Sequence, residues 1–325
     1  MRPAISVVIP FLNEEGTLDE LYQRVTEVMA EVGQTYEILF IDDGSTDGGP
    51  ALIEGLADDD ERVGFLRFRR NFGKSAALDA GFKRAQGRII ITMDADLQDD
   101  PKEIPRLLAA LEERELDLVS GWKRKRLDPL GKTLPSKLFN ATVRTLTGIK
   151  LNDFNCGFKA YRAESVDGLE LYGELHRYIP VLVDWRGFRV GEIPVEHHAR
   201  KWGQSKYGIE RMAKGFFDLL TVILITRYRR RPLHLFGWAG LSMFGLGFVC
   251  LSYLTVLWFL GMGPIGSRPL LTLGLLLVVV GAQLFSTGLL GEMINSTRSV
   301  EVAYTIRQER RPGDADDEED AEAAQ

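Results

Sequence analysis

"IIITMDADLQDDP", residues 89–101, passes from an apolar, β-rich run straight into Asp94, Asp96, Asp99 and Asp100, four carboxylates within seven residues. A buried carboxylate is costly unless it is paired, hydrogen-bonded or bound to a metal. Acids at the end of a segment that reads as buried therefore mark a metal site or a set of paired charges. Four other β-rich runs share this part of the chain: AISVVIP (4–10), YEILFID (36–42), VGFLRF (63–68) and LDLVSG (116–121). Helical patterns lie between them. In the first, Leu18, Leu21, Val25 and Val28 recur at helical spacing, and Thr17 with Glu20 fits a capping box. Strand–helix alternation predicts a mainly parallel sheet covered on both faces, with ligands held beyond the carboxyl ends of its strands. The acids fall there: IDDGSTDGG (41–49) closes one strand and MDADLQDD (93–100) another.

The 325 residues are 45% hydrophobic and 26% charged, an ordinary balance that hides an uneven distribution. No Asp, Glu, Lys or Arg occurs from Pro232 to Ser267 or from Pro269 to Gly291. Each run is long enough to cross a hydrocarbon core of about 30 Å. RYRRRP (227–232) precedes the first, and Arg298, Arg307, Arg310 and Arg311 follow the second. The loop between them holds a single Arg, so the positive-inside rule puts both ends in the cytoplasm. MRPAISVVIPFLNEE (1–15) turns acidic too early for a signal peptide, so a cytosolic N-terminal part is expected. Two cysteines, Cys156 and Cys250, make no disulfide framework, the second lying within an apolar run. The net charge of −6 comes from the tail GDADDEEDAEAAQ (313–325), which reads as solvated; the basic excess of a nucleic-acid binder is missing.

The expected organisation is a domain over 1–208, within which 123–150 mixes Lys and Arg with Leu134, Leu138, Phe139, Val143 and Leu146. A basic amphipathic helix at a membrane surface fits that segment, and a second fits 209–231. The two spans occupy 232–293, and an acidic tail follows over 294–325.

The acids carry the chemistry. In a strand continuation Asp94 and Asp96 point to one side, by period 2. Hard divalent cations such as Mg²⁺ or Mn²⁺ take oxygen ligands and share them with substrate phosphates, and two carboxylates with the Gln98 amide oxygen suit that role. Asp99, Asp100 and Pro101 read as the start of the next helix, where acids complement its dipole. In IDDGSTDGG an acid fits as acceptor from a nucleobase N–H or ribose hydroxyl; the alternative is a turn built from Asx and Ser/Thr bonds. Arg200, Gly203, Ser205 and Lys206 form a loop whose cations and hydroxyl suit a phosphate, just ahead of the membrane-directed helix.

Taken together, SVVIPFLNEEGTL (6–18), IDDGSTDGG, RNFGKSAALDAGFKRAQG (70–87) and TMDADLQDDP (92–101) resemble the family 2 glycosyltransferases with the GT-A fold, a Rossmann-like, mainly parallel α/β architecture. NDFNCGFKAYR (152–162), HHARKWGQSKYG (197–208) and the two C-terminal spans resemble the polyprenyl-phosphate subgroup, dolichol-phosphate mannose synthase-like and GtrB-like. The resemblance implies that Pro10, Leu12 and Glu14 line the nucleotide base with Asp42 or Asp43, and that Lys74 lies near the donor diphosphate. It implies Asp94 against the nucleotide, and Asp94, Asp96 and Gln98 around Mg²⁺ or Mn²⁺. It also implies Arg200, Ser205 and Lys206 around an acceptor phosphate. Asp153 matches a position often assigned as base, although orienting Arg200 or Lys206 explains it equally well.

A sugar hydroxyl needs a general base, whereas a phosphate monoester, with a second pKa of about 6, is already largely dianionic at pH 7. The expected reaction is an inverting, metal-dependent transfer of a hexose from a nucleotide-sugar, UDP-glucose first and GDP-mannose next, to polyprenyl phosphate of undecaprenyl or dolichyl type. The bilayer is the other partner, with a homo-oligomer through the spans. Competing readings are transfer to a glycolipid hydroxyl and a catalytically silent membrane scaffold.

Overall fold

The structure, a computed structural model, describes residues 2–124, 140–198, 221–222, 232–262 and 264–297. All five expected strands form: β1 (Ile5–Phe11), β2 (Tyr36–Asp42), β3 (Val63–Arg67), β4 (Ile89–Thr92) and β5 (Leu118–Trp122). Two more, β6 (Lys159–Arg162) and β7 (Val190–Pro194), complete a seven-stranded sheet of order β3-β2-β1-β4-β6-β5-β7. Only β6 runs against the others, between β4 and β5.

Residues 5–9 of β1, ISVVI, are buried on both faces, as a strand covered on two sides requires. Val7 and Ile9 face one apolar cluster, filled by Leu18, Leu21 and Val25 of α1 (Glu15–Val32), Ile53 of α2 (Gly49–Asp59) and Leu107 and Leu111 of α4 (Ile104–Glu113). Val8 faces the other, with Ile41, Ile90, Leu118, Tyr161 and Ala77 and Leu78 of α3 (Lys74–Arg84). Each fully buried aliphatic side chain contributes about 1.5–3 kcal/mol over its exposed state, so period-2 alternation in β1 holds helices on both faces.

The expected capping box is absent. The α-helix begins at Glu15, which puts Thr17 inside its first turn with no side-chain cap at Glu14. Thr17 Oγ instead donates to the carbonyls of Glu14 (2.9 Å) and Ala95 (2.7 Å), tying α1 to the acidic loop. The helix ends at Gly33, whose φ of +69° favours glycine and whose N–H closes on Met29.

Chain order runs outward from β1 to β2 and β3, then returns to β4 on the other side of β1. The crevice beyond the carboxyl ends of β1 and β4 is the switch point where such sheets bind ligands.

Two C-terminal helices, Pro232–Phe259 and Pro269–Thr297, are long and apolar enough to cross a membrane. Their backbones nearly touch. A Cβ on Gly281 would lie 2.5 Å from Phe244 N, and one on Gly247 would lie 2.7 Å from Gly274 O. Close approach through small residues is how membrane helices gain van der Waals contact. Cys156 and Cys250 are both free thiols, as expected.

Candidate active site

The acidic loop follows β4, but not as extended strand. β4 ends at Thr92, and residues 95–97 turn, with Leu97 in the left-handed region at φ +57°. Two bonds make the turn: Ala95 O accepts from Thr17, and Asp96 Oδ1 accepts from Gln98 N at 3.2 Å, a local Asx bond. Alternation survives nonetheless. Asp94, Asp96 and Gln98 are partly exposed, while Ala95, Leu97 and Asp99 are buried.

Asp94 pairs with Lys74 at the start of α3. Burial pushes the Asp94 carboxyl up, but Lys74 and then Lys123 outweigh it and hold it at about 2. Asp96 goes the other way: burial, with Asp94 and Asp99 beside it, pushes it up to about 6. Three acids thus crowd one loop, and the one with least compensation faces the opening. A cation would relieve that crowding, and two carboxylates with the Gln98 amide oxygen are the oxygen donors that a hard divalent metal takes.

Asp99 departs from its expected place in a helix start. It is 1% exposed and forms an ion pair with Lys123 Nζ at 2.7 Å. Burial lowers the Lys123 pKa, and Asp99 reverses this to raise it. Asp100 does cap, accepting from Lys102 N at 3.0 Å ahead of the 3₁₀ turn Pro101–Glu103.

The loops after β1 and β2 complete the crevice. Pro10, Leu12 and Glu14 are partly exposed, Pro10 lying at the end of β1 and Leu12 and Glu14 beyond it. Asn13, at φ +56°, accepts from Thr46 N through Oδ1 (2.8 Å) and donates its own N–H to Ser45 Oγ (3.0 Å), stitching the two loops together. Asp42 is fully buried, accepting from Ser45 N at 2.7 Å and paired with Arg67 Nε at 3.2 Å. Asp43 accepts from the backbone N–H of Phe72 (2.7 Å) and Gly73 (3.0 Å). Burial raises its pKa against those two bonds. Asp42 is thus shared between a backbone N–H and Arg67, and Asp43 fixes the loop that delivers Lys74. Gly73, at φ +94°, makes the turn into α3 without Cβ strain.

Asp153 is 1% exposed, in the loop ahead of β6, and accepts from Asn155 N at 3.1 Å. Three residues missed by sequence reasoning support this side. Gly157 packs so tightly on Asp94 that a Cβ would lie 2.6–2.8 Å from all its carboxylate atoms. Lys159, buried in the sheet, donates to Cys156 O; burial lowers its pKa. His176 shares a hydrogen bond with Ser75 Oγ through Nδ1 (2.9 Å), and burial, with Lys74 nearby, holds its pKa well below normal. No local pattern marks any of the three, since each is defined by a partner distant in sequence or by burial in the assembled sheet.

Arg200, Ser205 and Lys206 lie outside the described residues, as does most of the two amphipathic segments. Within the first of these, Val143 and Ile149 pack into the sheet's second apolar cluster. The approach to Arg200 is described. Gln98 O accepts from His198 N at 2.9 Å, Asp99 bridges His197 in antiparallel register, and His198 Nε2 meets Asp100 Oδ2 at 3.0 Å. The acidic loop and the segment leading to Arg200 form one two-stranded strap.

This arrangement defines a GT-A sheet with acids at its switch point. The fold is shared with glucosyl-3-phosphoglycerate synthase from Mycobacterium tuberculosis. Its structure with Mn²⁺, UDP-glucose and phosphoglyceric acid superposes with a TM-score of 0.52, at 19% identity over 69% of this chain and 79% of that one. The complex with Mn²⁺, UDP and phosphoglyceric acid gives 0.52 at 21% identity, over 69% and 78%. The chain belongs to glycosyl transferase family 2, whose sequence model matches residues 6–169, and it is a glycosyltransferase. Among curated relatives it is 41% identical to dodecaprenyl-phosphate galacturonate synthase of Rhizobium johnstonii, over 94% of this chain and 92% of that protein. It is 36% identical to undecaprenyl-phosphate 4-deoxy-4-formamido-L-arabinose transferase of Salmonella paratyphi B, over 89% and 88%.

Proposed function

We propose that this protein moves a sugar from a nucleotide diphosphate donor to polyprenyl phosphate at the cytosolic face of a membrane that its two C-terminal helices span. The names of the two curated relatives support that acceptor. The observation that carries the reading is the strap: His198, bonded to Gln98, stands two residues from Arg200 and two from Asp96 along the paired segments. The segment that the sequence assigns to the acceptor phosphate is thus continuous in the chain with a stretch, 197–198, that pairs with the acidic loop.

In this reading Asp94, Asp96 and Gln98 hold Mg²⁺ or Mn²⁺, which neutralises the leaving nucleoside diphosphate when bound. Lys74 exchanges Asp94 for the diphosphate as the donor enters. Pro10, Leu12 and Glu14 line the base. Asp42 and Asp43 act on that pocket through the backbones they hold. Arg200, Ser205 and Lys206 orient the acceptor phosphate, which needs no base at neutral pH, and Asp153 serves as an orienting group within its loop. In-line attack inverts the anomeric centre.

UDP-glucose leads from the sequence, with GDP-mannose next. The relatives' names attach galacturonate and formamido-arabinose, so the donor panel spans all four types. The test incubates membranes carrying the protein with each radiolabelled nucleotide-sugar and undecaprenyl phosphate, with and without EDTA. A lipid-extractable product formed from one donor and abolished by EDTA is expected. Label transferred equally well to a lipid that lacks the phosphate would remove the acceptor assignment.

A further inference from the structure

On the opposite edge of the sheet, at the amino ends of β1, β2 and β4, lies a cavity of about 1,000 Å³. Its cationic lining is Arg2, Lys83, Arg84 and Arg88, and its other lining residues include no acid. Lys83 is paired with Asp79 at 2.7 Å. Among the described residues Arg84 bonds only its own helix carbonyl at Ala80, and Glu37, the nearby acid of β2, is taken by Ser6 Oγ and Gln86 N. The guanidinium groups of Arg2, Arg84 and Arg88 have no carboxylate partner among the described residues. Two arginines four residues apart, at the end of α3 and the start of β4, present planar forks suited to carboxylate or phosphate. The donor crevice is on the far side of the sheet, so the catalytic reading does not use this cavity.

The same chain carries the complementary charge. Residues 314–322, DADDEEDAE, hold seven acids and no base. Of the net charge of −6, this segment supplies −7, which leaves the remainder at +1. We propose that the basic cavity at the amino ends of the strands is the docking site of the chain's own acidic C-terminal segment. The distance allows it. From Thr297 to Asp314 is 17 residues, an extended reach of about 60 Å, against a radius of gyration of about 16 Å for a lobe of this size. Tethering supplies an effective concentration in the millimolar range, so a weak, salt-sensitive contact is filled.

The test uses the full-length protein in detergent with its seven tail acids changed to their amides, and a fluorescein-labelled peptide of residues 312–325 added in trans. Anisotropy should report saturable binding that weakens at least tenfold between 0.05 and 0.5 M NaCl. Arg84→Glu with Arg88→Glu should abolish it while sugar transfer continues at the unaltered rate, which certifies the fold. A peptide with lysine at the seven acidic positions should bind that doubly reversed protein and not the parent. Equal affinity of the acidic peptide for parent and doubly reversed protein overturns the proposal. So does a cavity that takes inorganic pyrophosphate but no peptide, since its occupant is then a small anion. Because transfer is only a control, failure of the catalytic reading leaves this result standing.

Discussion

Gly157→Ala isolates the positioning of Asp94 from everything else in the site. Gly157 does not have a positive φ, so alanine brings no backbone strain; what it brings is a methyl group 2.6 Å from Asp94 Oδ1 and 2.8 Å from Cγ and Oδ2. Ordinary contact begins near 3.4 Å, so the carboxylate must retreat by about 0.8 Å. Its partner Lys74 is flexible and can follow, and Thr92 Oγ still donates to Gly157 O. The fold should therefore lose only about 1–2 kcal/mol, as for a small overpacking change. Catalysis is less forgiving, because a misplacement of about 1 Å costs up to about 10²-fold. We expect single-turnover transfer at saturating donor to fall about 30-fold to 100-fold, with a melting temperature within a few degrees of the parent. A Gly157→Ala protein with parental single-turnover rate would refute both the contact and the role given to Asp94.

Lys123→Met should destabilise the protein by about 3–5 kcal/mol in a thermal or denaturant melt, since it strands the Asp99 carboxylate in the interior; adding Asp99→Asn should restore much of that. Asp60, held at about 2 chiefly by its bond to Arg62 against burial, is the cleanest pH probe. Its folded pKa lies below the unfolded value, so its contribution is full above pH 4 and fades as pH falls through 2. With Arg62 half exposed, the expected loss on Asp60→Asn is about 1 kcal/mol at pH 7, shrinking toward zero near pH 2; a constant difference across that window would contradict it. Gly281→Leu should separate the two C-terminal helices, because its Cβ meets the backbone of Gly240 and Phe244, not a movable side chain. Loss of the folded species in detergent, measured by size-exclusion recovery, is the readout.

The sheet was legible because its central strands are apolar on both faces, and period and length leave few alternatives for ISVVI or IIIT. β6 and β7 were not: KAYR carries a lysine and an arginine, and VGEIP holds a glutamate and ends in proline, so neither reads as strand until its neighbours are known. The acids of 94–100 announced a site, but not the division of labour among them. Asp99 turns inward because Lys123, 24 residues later, waits there, and a long-range ion pair leaves no local pattern. Asp42 and Asp43 read as candidate ligands for a base because two adjacent acids exceed what a turn needs; their partners Arg67 and the backbone at 72–73 lie too far along the chain for a local pattern to show. Thr17 had the spacing of a cap and serves a loop 78 residues away.

The strap between 98–100 and 197–198 has a practical corollary for anyone exchanging parts between relatives. The Asp99–His197 bridge and the bond from His198 N to Gln98 O fix which residue on one segment meets which on the other, so an insertion or deletion of one residue in either segment would break that pairing. Chimeras that carry the acidic loop from one parent and the His-His segment from another will work only where both lengths match. The two must travel as a cassette.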